Sequence, residues 1–232
     1  MVQCLKLRNR FFRSFIDCRC DIIEKDMCCR YYYEDFEIEL RELMKAERVV
    51  ELPDFKYKET GRRDICPSQA GVVLCSAGRD SSGPGSPIGA AEMVWGFSNP
   101  VNKGLIINAR AETAREKITF ADSIAKRRCV IPASGFYEWD PYKARYRFTS
   151  PDGGLILLAG FYRREQGVPR FTILTTEANE SMISIHDRMP VMVGRDEIRP
   201  WIEDGARLTE FLSRKQVTLS CEQDSGQIRF SF

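Results

Sequence analysis

Cys28, one residue after Met27 in this 232-residue chain, could carry chemistry that its position alone would decide. If translation starts at Met27 and the methionine is trimmed, Cys28 bears a free α-amine and a thiol on adjacent carbons. Their ordinary pKa values, about 7.7–8.0 and about 8.5, leave both partly in reactive form near neutral pH. Such a pair traps an aldehyde. The amine condenses to an imine, and the sulfur closes on the imine carbon to give a thiazolidine. A nitrogen tied into a peptide bond cannot begin this sequence. Taken alone, Cys28 would more simply be a buried structural thiol.

Other side chains have the types that such a reaction needs, each with a plainer reading beside it. His186 is the chain's one histidine, set beside Asp187, Arg188 and Pro190. A loop there suits a group titrating near pH 7, although a lone histidine is more often a satisfied polar residue. Glu138 stands between Tyr137 and Trp139, so strand alternation sends it to one face and both rings to the other. A rim salt bridge is the bland alternative. Asn108 could cap a turn, Arg30, Arg110 and Arg188 could be solvated surface cations, and Trp95 could be core.

The elements that must position them are short. Phe36, Leu40, Leu43 and Met44 recur at helical spacing over Glu34 to about Val50. Strands are expected at Val72–Ser76, Glu92–Phe97, Leu105–Ile107, Cys129–Pro132, Phe136–Trp139, Tyr146–Thr149, Leu155–Tyr162 and Phe171–Thr175, with Val191–Val193 strand-like. Pro151-Asp152-Gly153-Gly154 reads as a hairpin turn. Thr119 and Asp122 resemble a capping box opening a helix that ends near Arg128. A short helix is expected over Glu177–Ser184, then one or two small helices and a last strand near Val217–Cys221. Residues 77–90 are rich in Gly, Ser and Pro and read as a surface loop.

Hydrophobic residues make up 43% of the chain and charged residues 29%, the balance of a globular protein rather than a disordered one. The formal charge of +2 leaves any anion site to local clustering of basic residues. Nine cysteines without a CxxC pair argue against a disulfide framework or a zinc ribbon, and for a cytoplasmic protein with mostly free thiols. No metal or cofactor is expected; Cys18, Cys20, Cys28 and Cys29 make only a weak thiolate set. Residues 1–26 read as an over-extended start or a removable leader, with a genuine N-terminal helix as the third reading. Residues 27–232 form the domain.

Four segments in order are Met27-Cys28-Cys29-Arg30-Tyr31, Asn108-Ala109-Arg110-Ala111-Glu112, Gly135-Phe136-Tyr137-Glu138-Trp139 and Ile185-His186-Asp187-Arg188-Met189-Pro190. Together they resemble the SRAP family, the SOS response-associated peptidases regarded as abasic-site processing proteins. The resemblance runs from Met27 through at least Trp201. It implies an α+β, β-rich fold, curved mixed sheets forming a pseudo-barrel with short flanking helices, and a positively charged DNA channel. It also implies a DNA-damage sensor that crosslinks itself to abasic sites in single-stranded DNA.

Under that resemblance Cys28 matches the crosslinking cysteine, Asn108 the residue that positions it, and Glu138 and His186 the catalytic acid–base groups. Arg30, Arg110 and Arg188 match arginines that hold phosphates, and Trp95 an aromatic that supports bases. Cys29 stands where glycine is usual, Val94-Trp95 where a tryptophan pair is usual, and the 26 preceding residues would block the chemistry while attached. The expected protein is a monomer in the cytoplasm, nucleoid-associated if bacterial. It acts on abasic single strands with weak lyase and self-processing peptidase activity, away from membranes, and its replication-associated partners are not specified. Two rivals remain at this stage: a cysteine peptidase or amidohydrolase using Cys28 and His186, and a noncovalent single-stranded DNA-binding module.

Overall fold

Val72-Val73-Leu74-Cys75 and Cys129-Val130-Ile131 are continuous apolar runs, and such runs form strands buried on both faces. In the computed structural model, which describes residues 29–53, 55, 61–78 and 85–224, both are buried strands. The chain begins with β1 (Arg30–Tyr33), α1 (Phe36–Ala46), β2 (Val50–Glu51), β3 (Arg63–Ile65), β4 (Ala70–Ser76) and β5 (Ile88–Trp95). It continues with β6 (Phe97–Ser98), β7 (Leu105–Ile106), β8 (Asn108–Arg110), α2 (Ile118–Lys126), β9 (Arg128–Ala133) and β10 (Gly135–Trp139). The last part holds β11 (Arg145–Thr149), β12 (Ile156–Glu165), β13 (Val168–Glu177), β14 (Arg188–Pro190), α3 (Ile198–Glu203), α4 (Leu208–Ser213) and β15 (Ser220–Gln223).

β13, β12, β9, β4 and β5 follow one another in one sheet, and a parallel contact of β5 with β13 closes the ring. The expected pseudo-barrel is therefore present. A second sheet, ordered β15-β11-β10-β1-β3, stays open. Only Ser134 separates β9 from β10, so one run of chain passes from the barrel into the open sheet. Ser134 fixes that corner, its hydroxyl accepting from the Glu34 N–H at 3.0 Å and donating to the Glu34 carbonyl at 3.1 Å.

The two sheets approach so closely that glycine is required. A Cβ on Gly71 of β4 would clash with the Tyr31 hydroxyl of β1, and within the open sheet one on Gly135 would lie 2.5 Å from the hydroxyl of its cross-strand partner Tyr32. Tyr33 completes the contact by accepting the Val72 N–H at 2.8 Å.

Several local expectations need correction. Thr119 does not cap α2; Lys117 holds the N-cap position without a side-chain bond, because the helix starts two residues earlier than a Thr119 cap would set it. Glu177–Ser184 is no helix, since β13 runs through Glu177 and hydrogen-bonded turns anchored on Asn179 follow. The last strand lies at 220–223 rather than 217–221. Cys29, Cys75, Cys129 and Cys221 keep their thiols out of disulfides, as expected, whereas Cys66 is disulfide-bonded. No helix among the described residues is long and apolar enough to cross a membrane.

Candidate nucleic-acid site

Asn108, Arg110 and Glu112 alternate along one stretch of chain, so a strand there offers them to a common face. β8 does this by pairing in parallel with β13, Asn108 opposite Ile173 and Arg110 opposite Thr175. β14 pairs with the same region of β13, Arg188 opposite Glu177. Asn108, Arg110, Thr175 and Arg188 thereby line one cavity of about 390 Å³, extended by Lys117, Thr119 and the Asn99–Val101 loop. Arg110 and Lys117 are exposed, giving the cavity a cationic rim.

Arg188 is the most strongly held side chain of this wall. Its Nη1 and Nη2 each donate to one Glu112 carboxylate oxygen at 2.8 Å, and Nη2 also donates to the Thr175 carbonyl at 2.7 Å. That carbonyl accepts the Ala111 N–H as well, at 2.8 Å, and so ties the three segments together. Burial alone would raise the Glu112 pKa, but the hydrogen bonds and charge of Arg188 outweigh it and hold the carboxyl below its ordinary value.

His186 stands two residues before Arg188, and its Nδ1 accepts the Arg188 backbone N–H at 3.0 Å. The same Nδ1 lies 3.1 Å from Asp187 Oδ1; with Nδ1 accepting from the Arg188 N–H, the neutral imidazole bears its hydrogen on Nε2. Burial lowers the His186 pKa; the nearby Asp187 opposes this without reversing it. The ring is therefore mainly neutral at pH 7.

Glu138 faces inward and is 4% exposed, while Tyr137 and Trp139 point to the other side of β10, as alternation requires. Arg30 pairs with Tyr137 across β1 and β10. One further step in that register puts buried Cys29 opposite Glu138. Cys28, next in the chain, lies outside the described residues.

Two expected ligands are placed elsewhere. Trp95 is fully buried against Tyr31 and Phe171, so it offers no face to a base. Its Nε1–H instead donates to the Ile107 carbonyl at 3.0 Å, holding the residue just before Asn108. Arg30 does not line the cavity; it lies over the Trp139 ring at 5.6 Å, with Asp64 at 3.5 Å, on the outer face of the open sheet. Sequence reasoning passed over Thr175, Lys117 and Glu112. The alternation through Asn108, Arg110 and Glu112 was a readable signal for the last of these; Thr175 and Lys117 enter only through pairing and helix placement.

The family model described as SOS response associated peptidase (SRAP) matches residues 27–225. The chain belongs to the SRAP family. Among its relatives, the abasic site processing protein YoaM of Bacillus subtilis is 35% identical over 153 residues, 60% of this chain and 64% of YoaM. YoqW of the same organism, carrying the same description, is 33% identical over 165 residues, 65% of this chain and 70% of that protein. The abasic site processing protein YedK of Escherichia coli is 25% identical over 184 residues, 76% and 79% of the two chains. The SRAP fold itself is matched by two crystal structures from Bordetella bronchiseptica, both 22% identical. One has a TM-score of 0.66 over 85% of this chain and all of its own; the other, a phage-related protein, has 0.65 over 85% and 94%.

Proposed function

We propose that this SRAP protein recognises abasic sites in single-stranded DNA and bonds to them covalently through Cys28 as the first residue of the active form. The observation that carries the reading is the joint placement of Asn108, Arg110 and Arg188 in one cation-rimmed cavity, in a family whose relatives are described as abasic site processing proteins. An abasic deoxyribose equilibrates with an open-chain aldehyde. The Cys28 amine adds to its C1′ and loses water to form an imine. The thiol then adds across the C=N bond, sulfur to carbon and proton to nitrogen, closing a thiazolidine.

The chain's own residues would serve these steps as follows. Arg110 and Arg188 grip phosphates, which makes association salt-dependent. Asn108 orients the amine and the aldehyde without changing charge. Neutral His186, with its hydrogen on Nε2, donates toward the sugar oxygen as the ring opens. Glu138, buried opposite the residue that follows Cys28, accepts the proton of the α-amine and returns one to the departing water. The imine also permits β-elimination of the 3′ phosphate, giving weak lyase activity that ring closure suppresses. Arg30 is assigned to the flanking surface beside Trp139. A cytoplasmic, monomeric protein is the accompanying reading.

The test is a gel shift with an oligonucleotide bearing one abasic site, comparing the full chain with a chain beginning at Cys28. The expected result is a heat-stable, protease-sensitive band from the shorter chain, abolished by Cys28→Ala and by one residue added before Cys28. A band that survives both changes overturns the proposal. Peptide hydrolysis without a band supports a cysteine peptidase using Cys28 and His186 instead.

A further inference from the structure

Glu112 is the acidic member of the Asn108–Glu112 stretch, and the proposed chemistry leaves it without a task. A carboxylate beside a phosphate-binding cleft repels the ligand, so its presence there calls for a physical reason. Glu112 meets the outer edge of the Arg188 guanidinium with both oxygens at 2.8 Å, the fork-to-fork geometry in which direction is fixed along with charge. The Thr176 hydroxyl donates to Oε1 of the same carboxylate at 3.3 Å and braces it from β13.

A guanidinium has five N–H groups. Here Nη2 spends both of its hydrogens on Glu112 and the Thr175 carbonyl, and Nη1 spends one on Glu112. What remains is one Nη1 hydrogen and the Nε–H, and Nε is buried without a partner among the described residues. The Arg188 side chain is 14% exposed and that of Glu112 is 42% exposed, so the carboxylate is the solvent-facing member of the pair. The backbone N–H of Arg188 also sets the His186 imidazole, so what holds Arg188 also bears on that ring.

We infer that Glu112 is a positioning residue that keeps Arg188 in one orientation and half-neutralised, so that the cleft grips intact DNA loosely and reserves its best geometry for a reacting sugar. This rests on the reading of Arg188 as a phosphate contact. Two effects follow on removing the carboxylate charge. Arg188 gains donors for phosphate and binds single strands more tightly, and it loses its fixed direction, so the covalent step slows. A residue with a merely structural role would move neither in that combination.

The experiment uses the active chain beginning at Cys28 with two probes. One is an undamaged, dye-labelled thymidine oligonucleotide, read by fluorescence anisotropy across a salt series; the other is the same oligonucleotide with one abasic site, read as crosslinking rate. For Glu112→Gln the expected result is several-fold tighter binding of the undamaged strand. Its log–log salt slope should be steeper by about 0.7, one added phosphate contact on a single strand, and crosslinking about tenfold slower. Thr176→Val, which removes only the brace, should give the same two changes at smaller size. An unchanged or shallower slope for Glu112→Gln, or unchanged crosslinking, overturns the inference. A parent protein that neither binds nor crosslinks either strand would instead sink the functional reading beneath it, so the two failures are distinguishable.

Discussion

Arginine is used in two different ways on the two sheets. On the barrel side, Arg188 is mostly buried, and its charge is answered by a carboxylate fork and a backbone carbonyl. On the outer face of the open sheet, Arg62 lies over Tyr32 at 5.0 Å, Arg145 over Tyr137 at 5.0 Å, and Arg30 over Trp139 at 5.6 Å. Arg62 and Arg145 cover Tyr32 and Tyr137, each 1% exposed, while their own heads reach Glu34 and Asp224 near water. Arg30, 15% exposed and so as buried as Arg188, is held between the Trp139 ring and Asp64. A desolvated cation needs full compensation to stay charged, whereas one at a wet surface can rest on a ring quadrupole and serve as apolar cover. The first arrangement yields a preset donor edge in a cavity. The second yields a lid over aromatic rings. Charge alone would have grouped all of these arginines as DNA contacts.

The contrast can be broken most forcefully at the core that joins the two walls. Trp95→Ala should cost about 3–5 kcal/mol and lower Tm by on the order of 10 °C, because a fully buried indole and its hydrogen bond to Ile107 are lost. Wild-type Tm with weakened DNA binding would restore Trp95 to the surface role denied above. Next in size, Gly71→Ala should cost about 1–3 kcal/mol through its clash with the Tyr31 hydroxyl. Tyr31→Phe in the same chain should recover part of that loss; a denaturant titration that finds no recovery would locate the strain elsewhere.

The comparison is sharpened by pairing Arg188→Ala with Arg145→Ala. The first should reduce the salt slope of single-strand binding by about 0.7 and slow crosslinking. The second should leave the slope alone and cost only about 0.5–1 kcal/mol, the worth of an exposed cation–π contact. Equal slopes for the two variants would erase the distinction. The smallest effect is a pH dependence. The folded-state pKa of His186 is depressed, so below about pH 6.5 the unfolded chain takes up the proton more readily and stability falls. Glu112, also depressed, contributes stability above the ordinary carboxylate range that is lost as pH falls further, through its folded value. Tm measured against pH should therefore flatten in the upper window for His186→Gln and in the lower one for Glu112→Gln.

Much of this was legible before any fold was known. That Glu138 lies on the face opposite Tyr137 and Trp139 followed from strand alternation, whereas the burial of that face came from the sheet's packing on the barrel. The helix at α1 followed from the spacing of Phe36, Leu40, Leu43 and Met44, all of which are buried. The readings failed where neighbours far along the chain set the outcome. Trp95 read by itself as core and only through the family resemblance as a base platform, and the choice lay with Tyr31 and Phe171 packing onto it from two other strands. Thr119 had the residue type of a cap, yet the helix begins at Ile118, beside the cavity wall.

What the order of residues settles for this protein is its supply of chemistry: one histidine, an asparagine–arginine–glutamate alternation, and a cysteine behind a methionine. Residue type and local period are enough for that, because pKa class, donor count and strand face are properties of a few neighbouring positions. Which arginine becomes a donor in a cleft and which a cover on a ring was set by β8 and β14 both pairing with β13, and by the open sheet turning Arg30 outward. Those pairings join residues tens of positions apart, and the neighbours they supply decide whether a cation meets a carboxylate fork and a carbonyl, as Arg188 does, or an aromatic ring with a single carboxylate contact, as Arg30 does.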